Sequence, residues 1–209
     1  MITGGFGASH DTRTGTSRSW YLRNGKQYWT DNDQPVNPPS NVKLMVMGHA
    51  RHGKDTVCEI LRDRYGLKFR SSSEAACDLV IYPVLKLSHG YRTIEECFND
   101  RHNHRELWHH LIWQHNRQDH ANLARAIYAE NDVYCGMRHI GELRATRAAG
   151  LFHFAIWVNR DKHQPPEDAS SCSVTPADAD YQLDNNGTLE DLVASIDRMM
   201  AVLTGQEAA

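Results

Sequence analysis

The chain has 209 residues, 40% hydrophobic and 23% charged, close to ordinary globular values and far from disordered or fibrous compositions. Lys and Arg total 23 against 26 Asp and Glu, a formal charge of -3. That excludes holding nucleic acid by net charge alone, while leaving room for a local basic groove. No run approaches 18 consecutive apolar residues, and the first residues are Gly-rich, so neither a membrane span nor a secretory signal is expected. The five cysteines, Cys58, Cys77, Cys97, Cys135 and Cys172, are odd in number and widely spaced, with no C-x-x-C pair. They read as small apolar side chains of a soluble protein in a reducing, cytoplasmic compartment.

Residues 1–41 form an N-terminal arm rich in Gly, Thr, Ser, Asn and Pro, ending in a Pro-rich linker (Pro35, Pro38, Pro39). Within it, Asn24-Gly25 is a preferred type I′ turn with aromatic flanks, which predicts a β-hairpin pairing Trp20 with Trp29, Tyr21 with Tyr28, Leu22 with Gln27 and Arg23 with Lys26. One face would be apolar; the other would carry Tyr21, Arg23, Lys26 and Tyr28. From Val42 the pattern becomes α/β. Val42–Met47 predicts a strand, 55–65 a helix capped at Gly66, and Leu67–Arg70 a second strand. Ser71-Ser-Ser-Glu74, Thr93-Ile-Glu-Glu96 and Asn103-His-Arg-Glu106 are capping-box signals that open helices, the first ending near Pro83. A further helix is expected over 120–128, strands over 132–135, 152–158 and 181–184, and helices over 140–149 and 188–203. Strands alternating with helices imply a parallel sheet flanked by helices over 42–209, with 71–128 as a helical insertion that would form an acceptor pocket.

The segment GHARHGKDT (Gly48, His49, Ala50, Arg51, His52, Gly53, Lys54, Asp55, Thr56) follows an apolar strand and opens a helix, the context a phosphate-binding loop requires. Its glycines let successive N–H groups and the helix N-terminus face an anion, and Lys54 would reach the β- and γ-phosphates. Asp55 follows the lysine where Ser or Thr is usual, so Mg²⁺ would be held by its carboxylate, directly or through water. There is no apolar strand ending in a Walker-B-type Asp and no N-K-x-D signature, which disfavours a GTPase or motor ATPase. A compact domain with a helical insertion after its second strand suits a small-substrate kinase.

The loop G-x-x-x-x-G-K-D-T, the segment Tyr134-Cys-Gly-Met-Arg138 leading to Glu142, and Ala179–Gly187 before the last helix together resemble phage deoxynucleoside monophosphate kinases. ECFNDRHNHRELW (Glu96–Trp108) is most similar to the phage 5-hydroxymethyluracil DNA kinases of thymidine hypermodification pathways. The resemblance spans about 42–203 and implies a nucleoside-monophosphate-kinase-like P-loop fold, with ATP and Mg²⁺ as cofactors. It also implies an acceptor hydroxymethyl group on a base already in DNA. Gly136 stands two residues before Arg138, where an Asp is frequent in monophosphate kinases; that departure favours a different acceptor.

Arg138, at a strand's carboxyl end, points to phosphate or acceptor contact. Arg101 and Arg105, at a helix start in the insertion, would clamp acceptor phosphate. Arg160 and Lys162 would belong to a lid over ATP, with Asn185 and Asn186 near the adenine. Ser71, Ser73 and Glu142 would line the acceptor site, and Glu74, ahead of Asp78, is the first candidate base for an alcohol acceptor. Thirteen histidines, six of them between His102 and His120, read as a polar helix surface rather than a metal site. The competing expectations are a kinase acting on free deoxynucleoside monophosphates and a non-catalytic nucleotide-binding protein.

Overall fold

The computed structural model describes residues 42–168 and 170–203, together with the backbone of three strands in the N-terminal arm. Those strands are β1 (Phe6–Asp11), β2 (Thr16–Arg23) and β3 (Lys26–Trp29), in an antiparallel sheet of order β1-β2-β3. The hairpin register is the one expected from the turn: Trp20 faces Trp29, Tyr21 Tyr28, Leu22 Gln27 and Arg23 Lys26. The turn residues Asn24 and Gly25 and the Pro-rich linker lie outside the described residues. The sequence pattern gave no sign of β1, which pairs with β2 from Phe6 opposite Tyr21 to Asp11 opposite Thr16.

The second sheet holds five parallel strands: β4 (Leu44–Met47), β5 (Phe69–Ser71), β6 (Val133–Met137), β7 (Phe154–Asn159) and β8 (Tyr181–Asp184), ordered β5-β6-β4-β7-β8. β4 is central and its four residues are completely buried, so LMVM reads as a continuous apolar run rather than an alternating one. Alternate residues serve opposite layers. Leu44 and Val46 pack with Val57 and Leu61 of α1 (Lys54–Tyr65) and with Leu192, Ile196 and Met199 of α8 (Leu189–Leu203). Met45 and Met47 pack on the other side, with residues of α2 (Ser72–Ala76), α6 (Asn122–Glu130) and α7 (Ile140–Ala148).

Between β5 and β6 lies the helical insertion. After α2 come a π-helical turn (Cys77–Ile81), α3 (Tyr82–Ser88), α4 (Ile94–Asn99), a short 3₁₀ turn (Asp100–His102), α5 (Arg105–Asn116) and α6. Cys77, Val80, Ile81, Leu85, Cys97 and Trp108 give it a core of its own. Two start signals hold: Ser71 and Thr93 each accept the N–H of the Glu three residues on, whose carboxylate returns to the cap N–H. The third does not. His104 caps α5 without a side-chain bond, while Asn103 turns back to donate to Asp100. The chain also does not stop at Pro83. The π turn widens the helix just before it, so the proline enters within the first residues of α3, where its missing N–H has no partner to lose.

Candidate active site

β4 and β6 are neighbours whose carboxyl ends lead away in opposite directions, β4 through α1 to β5 and β6 through α7 to β7. A parallel sheet opens a crevice at such a place. GHARHGKDT fills the β4 end of it, and α1 begins at Lys54. Several buried contacts shape the loop. Asn185, buried at the end of β8, donates from Nδ2 to the His52 carbonyl at 2.9 Å. Gly53 has φ 89°, and a Cβ there would overlap the Asn185 amide, so the position requires glycine on both counts. Gly48 passes under the Val158 carbonyl, and Arg51, exposed at the loop's tip, holds φ 64°. His52 is fully buried: Nδ1 accepts the Arg160 N–H at 3.1 Å and Nε2 donates to the Gln164 carbonyl at 3.1 Å, which fixes the Nε2–H tautomer.

Lys54 is only 9% exposed and its Nζ donates to the His49 carbonyl at 2.7 Å, closing the loop on itself. Burial, and then the neighbouring Arg138 guanidinium, hold its ammonium below the usual lysine value. Two cations thus crowd one crevice, an arrangement an anion relieves. Arg138 reaches it because β6 carries a bulge: Val46 pairs with Cys135 but Met47 pairs with Met137, leaving Gly136 as the extra residue at φ 95°. The same glycine that departs from the monophosphate-kinase pattern is therefore the residue that re-aims the strand end. Its carbonyl accepts from Ser72 Oγ at 3.1 Å.

An anion is already present. The Glu167 carboxylate accepts the Ala50 N–H at 2.5 Å on one oxygen and Arg138 Nη1 at 2.7 Å on the other. The Glu167 N–H also donates to His49 Nδ1 at 3.2 Å. Burial pushes this carboxyl up, but Arg138, the Ala50 N–H and Lys54 outweigh it, and it lies below the usual glutamate value. Sequence reasoning assigned Arg160 and Lys162 to this segment and passed over Glu167, which belongs to no motif; the adjoining Pro165-Pro166 was the only local mark. Arg160 meets the loop through its backbone N–H, and the Lys162 N–H donates to the Asn186 side chain.

At the far end of the loop, Asp55 is exposed in the first turn of α1 and accepts the Cys135 thiol at 3.4 Å. Its carboxylate is a hard oxygen donor of the kind Mg²⁺ takes, and a cation there would displace only a weak S–H bond. His49, Glu167 and Cys172 also bring ligand atoms within 4.8 Å of one another. His49 Nδ1 accepts the Glu167 backbone N–H, the Glu167 carboxylate is spent on Ala50 and Arg138, and burial pushes the Cys172 thiol up, so this trio is not built for a metal.

On the β5 side of the sheet, a cleft of about 370 Å³ is lined by Arg70, Glu74, Cys77, Asp78, Ile94, Glu95 and Phe98. Arg70 is paired with Asp78 at 2.5 Å. Glu74 is exposed and reaches the Ser71 N–H at 3.4 Å as the returning half of the capping box, with Ser71 Oγ and Ser73 Oγ 3.5 Å apart beside it. The remaining candidates are spread out. Glu142 accepts from Asn116 Nδ2 at 3.0 Å; Arg101 lies over the Phe98 ring at 4.1 Å and donates to its carbonyl; Arg105 is exposed at the first position of α5.

Fold and site together define an α/β domain with a glycine-bounded loop, 48–56, at the switch point of a parallel sheet. No protein-family model matches the chain, and no curated protein does. Among solved structures it is similar to a gluconokinase from Sinorhizobium meliloti 1021, with a TM-score of 0.44 and 13% identity, covering 79% of this chain and 94% of that one.

Proposed function

We propose that the protein is an ATP-dependent phosphotransferase whose acceptor is the hydroxymethyl group of 5-hydroxymethyluracil in phage DNA. The observation that carries phosphoryl transfer is that the Ala50 N–H and Arg138 both donate to one carboxylate, Glu167, with the buried Lys54 ammonium in the same electrostatic neighbourhood. Bound ATP and Mg²⁺ supply the phosphoryl group and neutralise its charge. Lys54 and the loop hold the donor, Asp55 and Thr56 offer oxygens to the metal, and Arg138 meets charge developing on the transferred group.

The cleft beside β5 supports an alcohol acceptor over a monophosphate. Three carboxylates line it, and its single arginine is already paired, so a phosphate dianion would enter against like charge. A neutral hydroxymethyl group meets no such penalty and gains a base. Glu74 would take the proton of the attacking alcohol, and ADP would be the leaving group of the transfer that bound ATP supplies. The sequence resemblance supports placing that alcohol on a base in DNA, and an unstacked base would be held by the arm, where Tyr21 faces Tyr28 and Arg23 faces Lys26.

The test supplies γ-labelled ATP and Mg²⁺ with three acceptors: DNA containing 5-hydroxymethyluracil, unmodified DNA and free deoxynucleoside monophosphates. Label in the modified DNA alone is expected, and Lys54→Ala should lower it by a factor of about 100 or more. Label in a monophosphate with none in DNA would move the assignment to nucleotide metabolism. Label nowhere, with ATP still bound, would make this a binding protein.

A further inference from the structure

We propose that the Glu167 carboxylate is an internal occupant of the phosphate seat, holding the 160–168 segment over the loop until a polyphosphate displaces it. The proposal rests on reading Gly48–Thr56 as the nucleotide site. The partners of Glu167 are those a phosphate would take: a loop N–H at 2.5 Å and the Arg138 guanidinium at 2.7 Å, with the Lys54 ammonium close by. Its side chain is only 22% exposed, so it is seated in the crevice rather than resting on its rim.

Three further bonds tie the same segment to the same loop. The Glu167 N–H donates to His49, the Gln164 carbonyl accepts from His52, and the Arg160 N–H donates to His52. His49, Ala50 and His52 of the loop are thus occupied by the segment that a nucleotide must pass. His49 is itself gripped, its ring edge-on to Trp157 at 5.0 Å and to His52 at 5.3 Å. The segment therefore engages a loop that is already shaped, and it adds the missing charge.

Displacement is an exchange of anions. One carboxylate carries a single charge and satisfies one N–H and one guanidinium. A triphosphate carries several charges and has oxygens for Ala50, Lys54 and Arg138 together. Because the carboxylate is tethered, it competes at every ligand concentration, and the apparent affinity is the intrinsic one scaled by the fraction of molecules with the seat open. Arg138 is the hinge of the exchange: it is released by Glu167 only when a phosphate is there to receive it.

The test titrates wild type, Glu167→Gln and Lys54→Ala with ATP and with inorganic tripolyphosphate, which lacks base and ribose, by calorimetry. Glu167→Gln keeps the size of the side chain and removes its charge. It is expected to bind both ligands about tenfold more tightly than wild type, the order a charge-assisted hydrogen bond supplies. Saturating tripolyphosphate should speed hydrogen exchange at the wild-type Glu167 amide. Equal or weaker binding by Glu167→Gln, with wild type binding ATP normally and Lys54→Ala not, overturns the internal-occupant proposal and leaves the nucleotide site standing. Should no form bind either ligand, both fail together. Glu167→Asp, which keeps the charge on a shorter stem, serves if the glutamine variant does not fold; partial opening should place its affinity above wild type, and an unchanged value counts against the proposal.

Discussion

His52 and Asn185 show how much of the 48–56 loop is held from below. Asn185 gives the His52 carbonyl its hydrogen bond and occupies the space a Cβ on Gly53 would need, so one buried amide enforces both the loop's shape and its glycine. Asn185→Ala strands a buried carbonyl and should cost about 1–3 kcal/mol in urea unfolding, with weaker ATP binding in the same variant. Protonation acts on the neighbouring residues. Burial, then His52, lowers the His49 pKa; Glu167 and Asp161 oppose this without reversing it. The unfolded chain therefore takes up that proton first, so the His49 contribution to stability is present above about pH 6.5 and is lost as pH falls through the lower folded value. Glu167, also lowered, contributes above about pH 4.5 and is lost below it. Urea unfolding against pH should show stability falling from neutral to acid, and Glu167→Gln should remove part of the fall below about pH 4.5 while deepening the His49 limb below about pH 6.5, because the charge that raises the His49 pKa is gone.

Among the elements, capping chemistry decides where the insertion's helices begin. Thr93 and Glu96 exchange both bonds of a capping box, and Asp100, one turn further on, gathers Tyr91, Asn103 and His104. That cluster explains why Asn103 does not cap α5: its amide is already committed to Asp100, and the 3₁₀ turn places His104 at the cap instead. Thr93→Ala should destabilise the protein by about 1 kcal/mol, read as a lower urea midpoint. Trp108 anchors the insertion's own core and is 5% exposed; Trp108→Ala should cost about 3–5 kcal/mol and raise hydrogen exchange across α3–α5 before it affects the sheet. The bulge at Gly136 has a comparable local cause and a longer reach, since the extra residue sets where Arg138 emerges.

For the whole molecule, the functional prediction separates the arm from the α/β body. A Tyr21→Ala, Tyr28→Ala double variant should weaken retention of single-stranded DNA by about tenfold or more, because a stacked base is worth about 1–3 kcal/mol. ATP affinity should not change, since the loop is built from 48–56 and its neighbours. A gel-retention titration beside calorimetry separates the two. A formal charge of -3 over the whole chain leaves the proposed DNA contact to a local cationic face such as that of Arg23 and Lys26. No helix among the described residues is long and apolar enough to cross a membrane.

The sequence by itself determined the features that depend on neighbours along the chain. These were the hairpin register from Asn24-Gly25, the buried LMVM strand, the loop with Lys54 at the head of α1, the boxes at Ser71 and Thr93, and the apolar stripe of α8. Each follows from dihedral preference, periodicity or a bond spanning three residues. Only the tertiary structure decided which strands stand side by side, and with that what shares the crevice. Glu167 lies 117 residues from Ala50 and 29 from Arg138. A lone carboxylate after two prolines has no local pattern, and it takes its meaning from the cations the parallel sheet brings to it.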